Sequence, residues 1–261
     1  MFDLPITNEM TRVLASLVLV LLAMLISRWQ SLDLEKQMLI AVIRAFIQLT
    51  LIGYALTYIF DIDNPLAVLF IIGMMTIIAG FTSGNRAAGM PHARLVALSS
   101  ISLGAALTLG LLLVLRVFSF SAHQIIPIAG MVIGNSMNVC SLVMRRIGDE
   151  VYGRRIEIET ALALGATRRQ AADPYIKTAL QNGMMPIVDS TKTVGLIQLP
   201  GAMTGMILAG APPLEAVQLQ MIVMYMLIGA AAFTGLSAAF LSYQQYFSMD
   251  HQLILPDMLK E

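Results

Sequence analysis

RRIGDEVYGRRIEIETALALGATRRQAADPYIKTALQNGMMPIVDSTK, Arg145 to Lys192, is the stretch in which this 261-residue chain concentrates its charge. It holds eight of the sixteen basic residues and six of the sixteen acidic ones, while the sequence on either side is a succession of apolar runs. The whole chain is 57% hydrophobic and only 12% charged, against about a quarter charged in a soluble domain. Several of the runs reach the roughly 20 residues that a helix needs to cross a bilayer. These features predict an all-α, polytopic membrane protein, a single transmembrane domain over residues 1–261 in a multi-pass cell (inner) membrane setting. The 145–192 segment is its one long loop, offered to something in the water. Zero net charge gives no indication of nucleic acid, and the single cysteine, Cys140, excludes an internal disulfide framework.

Working outward, about seven spans are expected. The first runs from Thr11 to Ser27 and is retained, because Asp3 and Glu9 stand where a signal peptide carries basic residues. The second, Gln37 to Phe60, contains Arg44, and Asp61 to Pro65 turns into the third, Leu66 to Gly84. The fourth covers Leu95 to Leu115, and the fifth, His123 to Met144, feeds the charged loop. A sixth ends near Gly210, and the seventh covers Ala216 to Tyr243. Taking alternate connections, thirteen Lys and Arg, Lys260 among them, fall on one side and only Arg12 and Arg116 on the other. The positive-inside rule then puts the loop and the C-terminus in the cytoplasm and the N-terminus outside. The sixth span has two readings. A start near Thr178 brings Asp189 and Lys192 into the membrane, with a break at Leu199-Pro200-Gly201 near the outer end; this is the favoured one. A start near Thr193 leaves that pair at the cytoplasmic surface.

Inside the loop, Glu159 to Leu164 has helical composition and Gly165 suits a helix end. Thr167 then caps a second helix, about Arg168 to Leu180. Helix, glycine turn and helix make a knob with Arg168 and Arg169 exposed at its tip. Among the spans, Arg44 and Gln48 share a helix face, and a charge there either lines a pathway or snorkels to the headgroups. Asp189 and Lys192, three apart, form either a charged gate or an interfacial ion pair. Asn135 and Asn138 line a polar path or, more simply, bond between helices. Gly80-x-x-x-Gly84, Gly130-x-x-x-Gly134 and Gly201-x-x-x-Gly205 allow close helix approach. Pro200, Gly201, Met203 and Thr204 complete the candidate path at the bend. Nineteen methionines suit soft metals in principle, but thioethers more often fill irregular packing in apolar helices, and the three histidines show no ligand spacing. No metal site and no catalytic cluster is visible, so the residues do not point to an intramembrane enzyme.

The knob pattern resembles the EAA loop of ABC-transporter permeases: Glu159, Ala161 and Gly165 keep its spacing, and Pro186 stands near a closing proline. Thr160 replaces the middle alanine. A wider resemblance rests on GMVIGNSMN (Gly130 to Asn138), ALALGAT (Ala161 to Thr167) and GLIQLPGAMTGMILAGAPPLEAV (Gly195 to Val217). By these the chain is similar to the FetB family of ABC permeases, bacterial proteins paired with the ATPase FetA in iron export, with plant relatives tied to aluminium tolerance and a nucleotide sugar suggested as cargo. The resemblance implies a homodimer of permeases in membrane lipid, with two cytosolic ATPase chains docked on coupling residues Glu159, Ala161, Gly165, Ala166, Thr167, Arg168 and Arg169. ATP and Mg would be bound by that partner, since no G-x-x-x-x-G-K-[ST] occurs here, and this chain needs no cofactor. Two rivals remain on sequence alone: an ion-gradient-driven secondary transporter using Arg44 and Asp189, and a membrane receptor or scaffold that docks a cytosolic protein without cargo.

Overall fold

The computed structural model describes residues 9–61, 64–87, 89–248 and 252–254. Lys260, His251 and the centre of the Asp61–Pro65 turn lie outside them. The helices are α1 (Glu9–Trp29), α2 (Glu35–Asp61), α3 (Pro65–Arg86), α4 (Ala93–Val114), α5 (Ala122–Gly153), α6 (Arg155–Ala163), α7 (Arg168–Thr193), α8 (Gly201–Leu208) and α9 (Pro213–Gln244). No strand occurs among the described residues, only two isolated bridges. By length and composition α2, α3, α4, α5 and α9 can each cross a membrane, and the apolar part of α1 described, Val13–Trp29, is shorter. The chain is therefore an all-α polytopic membrane protein.

The chain divides into two units, residues 1–62 and 63–261. In the first, α1 packs on α2, and the junction is tied by Ser27, 1% exposed, whose hydroxyl accepts from the Leu34 amide at 3.3 Å. In the second, α5 is the hub. It packs against α3, α4, α7 and α9, and it is the most buried of the crossing helices. Small residues set these contacts. A Cβ on Gly104 would collide with Thr234 of α9, and one on Gly183 with Val143 of α5. Hydroxyls bridge the same seams, Thr234 donating to Ser136 at 2.9 Å, while Ser141 and Ser83 lie 3.0 Å apart. Without a hydrophobic drive between helices in lipid, close backbone approach and such bonds are what hold a bundle together. Of the three glycine pairs read from the sequence, Gly80 and Gly84 do sit against Leu98 and Arg94. Gly130 meets only the tip of Met75, and Gly134, Gly201 and Gly205 touch nothing.

Helix starts follow local chemistry. Asn64 accepts from the Leu66 amide at 2.9 Å ahead of Pro65 at the first position of α3, as its Asn-Pro sequence predicts. Two expectations about the 145–192 segment fail. It is not a loop along its length: α5 continues nine residues past Met144 to Gly153, and α7 runs on past Leu180 to Thr193, as the favoured start of the sixth span near Thr178 expects. Pro186 consequently lies inside α7 and closes nothing. The stretch is polar without being loop: Asp149, Glu150 and Arg146 sit on the exposed or half-exposed side of a helix whose other side, Ile147 and Val151, is fully covered.

The sixth span also differs. No helix starts near Thr193, which excludes that reading, and α7 passes through Thr178 and Asp189 unbroken. The interruption falls earlier than Leu199: Val194 to Pro200 is non-helical, with Gly195 at φ +82° and its amide donating to the Gln198 carbonyl at 3.0 Å. Only the short α8 follows before the turn at Gly210, φ +93°.

Candidate functional site

Beyond the end of α5, α6 and the start of α7 form a helix hairpin whose every joint is specified. Gly165, at φ +91°, takes the left-handed position after α6. Its amide donates to Leu162 and that of Ala166 to Ala161, both at 3.0 Å; this pair of bonds is the Schellman closure. Thr167 then starts α7 with a reciprocal capping box. Its hydroxyl accepts from the Gln170 amide at 3.3 Å, and its own amide donates to Oε1 of Gln170 at 2.9 Å. The sequence reading of helix, glycine turn and Thr167 cap thus holds.

A clamp that sequence reasoning missed joins the two arms. Both oxygens of Glu157 are occupied, Oε1 by Nη1 of Arg154 at 2.8 Å and Oε2 by the Tyr175 hydroxyl at 2.7 Å. The hydrogen bond from Tyr175, then the one from Arg154, holds the Glu157 carboxyl below its ordinary range. The same contact raises the Tyr175 phenol. Eighteen residues separate Glu157 from Tyr175, so only the hairpin brings them together. Glu159 accepts from Nε of Arg155 at 2.7 Å, one turn back.

The hairpin has two faces. Ile158 is fully buried, and Ala161 and Leu162 pack inward. On the other side Ile156 is 78% exposed and Leu164, at the tip, 84%. These two large apolar side chains stand open on the outer side of a charged, capped hairpin. Arg169 is exposed, but Arg168 is half-buried, so the expected pair of tip arginines reduces to one open side chain.

Within the bundle, Asn135 donates to the Leu227 carbonyl at 3.0 Å, joining α5 to α9, and Asn138 accepts from Nη1 of Arg86 at 3.0 Å. Both also line a small polar pocket with Gly183, Pro186 and Ser190 of α7. That contact fixes the level of α7's end: Ser190 lies opposite the middle of the apolar run His123 to Met144. Asp189 and Lys192 pair at 3.3 Å, with side chains 58% and 66% exposed. Their neighbours Ser190 and Thr191 face the other helices instead. Behind the break a cavity of about 400 Å³ is lined by Thr191, Gly195, Met203, Gln220 and Met224 among others. Gln220 is 6% exposed and its Oε1 has no hydrogen-bond partner among the described residues. A buried amide oxygen left open beside a cavity calls for a partner such as a water or an ion. Gln220 sits in an unremarkable apolar run, and no spacing singles it out. Pro200 and Thr204 flank this region half-buried, while Gly201 is exposed. Arg44 and Gln48 lie one turn apart on the exposed surface of α2. Among the described residues no group of three His, Cys, Asp or Glu could hold a metal ion.

Comparison with known proteins places the chain. The model of the uncharacterised protein family UPF0014 matches residues 10–247. Protein ALUMINUM SENSITIVE 3 of Arabidopsis thaliana is 45% identical over 244 residues, 94% of this chain and 89% of its own. UPF0014 membrane protein STAR2 of rice is 43% identical, over 94% of this chain and 86% of its own. The protein named "Probable iron export permease protein FetB" of Escherichia coli is 36% identical over 98% of both chains. No solved structure matches the chain significantly. With helices of this length and apolarity and relatives aligned end to end, the chain belongs to the UPF0014 family of multi-pass membrane proteins.

Proposed function

We propose that this protein is the membrane subunit of an ATP-binding-cassette transporter, docked through the α6–α7 hairpin to a separate ATPase and exporting iron or a related metal species. The observation that carries the reading is the hairpin: a capped, internally clamped unit beyond the spans, presenting Ile156 and Leu164 to water. The similarity to the Escherichia coli protein named "Probable iron export permease protein FetB" supports the cargo class. In this reading ATP binding draws two ATPase chains together, the hairpins tilt, and the spans switch a central path between faces. Asp189 and Lys192 suit a water-filled path between two copies. They stand at the level of Asn135 yet are exposed where Ser190 and Thr191 face α5 and α9, and charges at that depth need protein or water beside them.

The test is ATPase stimulation in vesicles that contain this protein and a FetA-like ATPase. Leu164→Glu or Gly165→Leu should abolish stimulation while the protein still inserts. Full stimulation by both variants would refute the docking role. A second reading, transport driven by an ion gradient, is favoured by the interrupted α7–α8 segment, since broken helices are where secondary transporters hold ions and substrates. It predicts flux by this chain alone, without ATP.

A further inference from the structure

A second polar site lies where α3, α5 and the residues after α9 converge at the charged end of the bundle. There a pocket of about 170 Å³ is lined by Arg86, Met90, Arg145, Gly148, Asp149 and Tyr246 among others. Its walls come from three places where helices leave the apolar region: α3 ends at Arg86, Arg145 follows the last apolar residue of the fifth run, and Tyr246 follows α9. The charges do not cancel. Asp149 is engaged by Arg146 at 3.8 Å. Arg145, by contrast, has no carboxylate partner among the described residues, and Arg86 meets only the neutral amide of Asn138.

Tyr246 is the more telling group. It is 2% exposed, held by a tail that doubles back so that the Ile254 amide donates to the Tyr246 carbonyl at 2.8 Å. Its ring meets Tyr152 edge-on at 6.5 Å. Gly148 makes room for the hydroxyl, since a Cβ there would lie 3.0 Å from it. Yet that hydroxyl makes no hydrogen bond among the described residues. A donor on a buried ring that opens on the same pocket as two arginines, one of them without a carboxylate partner, is an incomplete anion cradle. From this geometry we infer that the Arg86–Arg145–Tyr246 pocket binds a phosphate group, as carried by an acidic phospholipid headgroup or by soluble phosphate. Basic pockets between helices at the membrane surface take lipid headgroups for these reasons, and arginine matches phosphate with paired donors. Burial first, then the nearby Tyr152 and Asp149, pushes the Tyr246 phenol up to about 12, so it stays a donor at any physiological pH. The site is independent of the hairpin and of the cargo.

The test is a binding titration on the purified full-length protein in detergent, read by native mass spectrometry, in two arms: phosphatidylglycerol against phosphatidylcholine, and inorganic phosphate. Arg145→Gln and Tyr246→Phe should each weaken binding in the responding arm about tenfold, the loss expected for a charge-assisted bond. Arg145→Lys should keep part of the affinity, and Arg116→Gln, which removes a charge outside the pocket, should change nothing. Circular dichroism confirms that each variant is folded. A response to phosphatidylglycerol alone assigns the lipid, and a response to inorganic phosphate assigns the soluble anion. Equal binding by all variants in both arms overturns the inference, as does an equal loss in Arg116→Gln.

Discussion

Glu157 joins the two arms of the hairpin, its two oxygens tying Arg154 on one and Tyr175 on the other. Its carboxyl is held below the usual range by those bonds. A group depressed in the folded state contributes stability above its unfolded pKa, about 4.3, and loses it as pH falls through the folded value. The clamp is therefore fully formed at pH 5 to 8 and is lost in stronger acid. Hydrogen exchange of α6, corrected for intrinsic rates, should rise below about pH 4 in the parent. In Glu157→Gln and Tyr175→Phe exchange should already be fast at pH 7, with no added loss on acidification. Thr167 offers a second measure at this scale. Its capping box makes Thr167→Ala cost about 1 kcal/mol, read as a lower thermal midpoint. The motif Glu159-x-Ala161-x-x-x-Gly165 points to this hairpin correctly, but the clamp lies outside it.

At the scale of elements, the α5–α7 crossing decides where the hairpin stands, since α7 carries it directly on the hub helix. Gly183 permits that crossing against Val143. Gly183→Leu should destabilise the protein by about 1–3 kcal/mol through overpacking, measured by thermal unfolding in detergent. Val143→Ala combined with Gly183→Ala should recover part of the loss that Gly183→Ala causes alone. The interrupted α7–α8 segment carries a different expectation. Gln220 opens an unpartnered oxygen beside its cavity. Gln220→Leu should raise stability by about 1 kcal/mol, by removing an unsatisfied buried amide, and should lower transport. Higher stability with unchanged flux would show that the amide serves no cargo.

For the whole molecule, the proposed arrangement of two copies around a path gives a direct geometric test. Cys140 is fully buried and is the chain's only cysteine, so an added cysteine reports without background. Lys192→Cys should yield a disulfide-linked dimer on mild oxidation in membranes, whereas Leu107→Cys, on an exposed face of α4, should not. The reverse pattern would place the dimer contact elsewhere and remove Asp189 and Lys192 from the path. Leu164→Cys, tested with a membrane-impermeant maleimide, should label only when the cytoplasmic face is open, the side that the Lys and Arg distribution predicts.

The sequence by itself determined the class, because apolar runs long enough to span, with charge concentrated in one segment between them, leave a polytopic helical protein as the only economical arrangement. It also determined the hairpin turn, since Gly165 and Thr167 act through bonds to residues three to five positions away. What only the tertiary structure decided are the features made by residues far apart in the chain: Glu157 with Tyr175, Gly104 with Thr234, Arg86 with Asn138, and Gln220 beside the broken segment. The same holds for the polar stretch after Met144. Read alone it looks like loop, and it is helical because the bundle covers one side of it. Packing, not local propensity, supplies most of a helix's stability, and packing partners are not written in the local sequence.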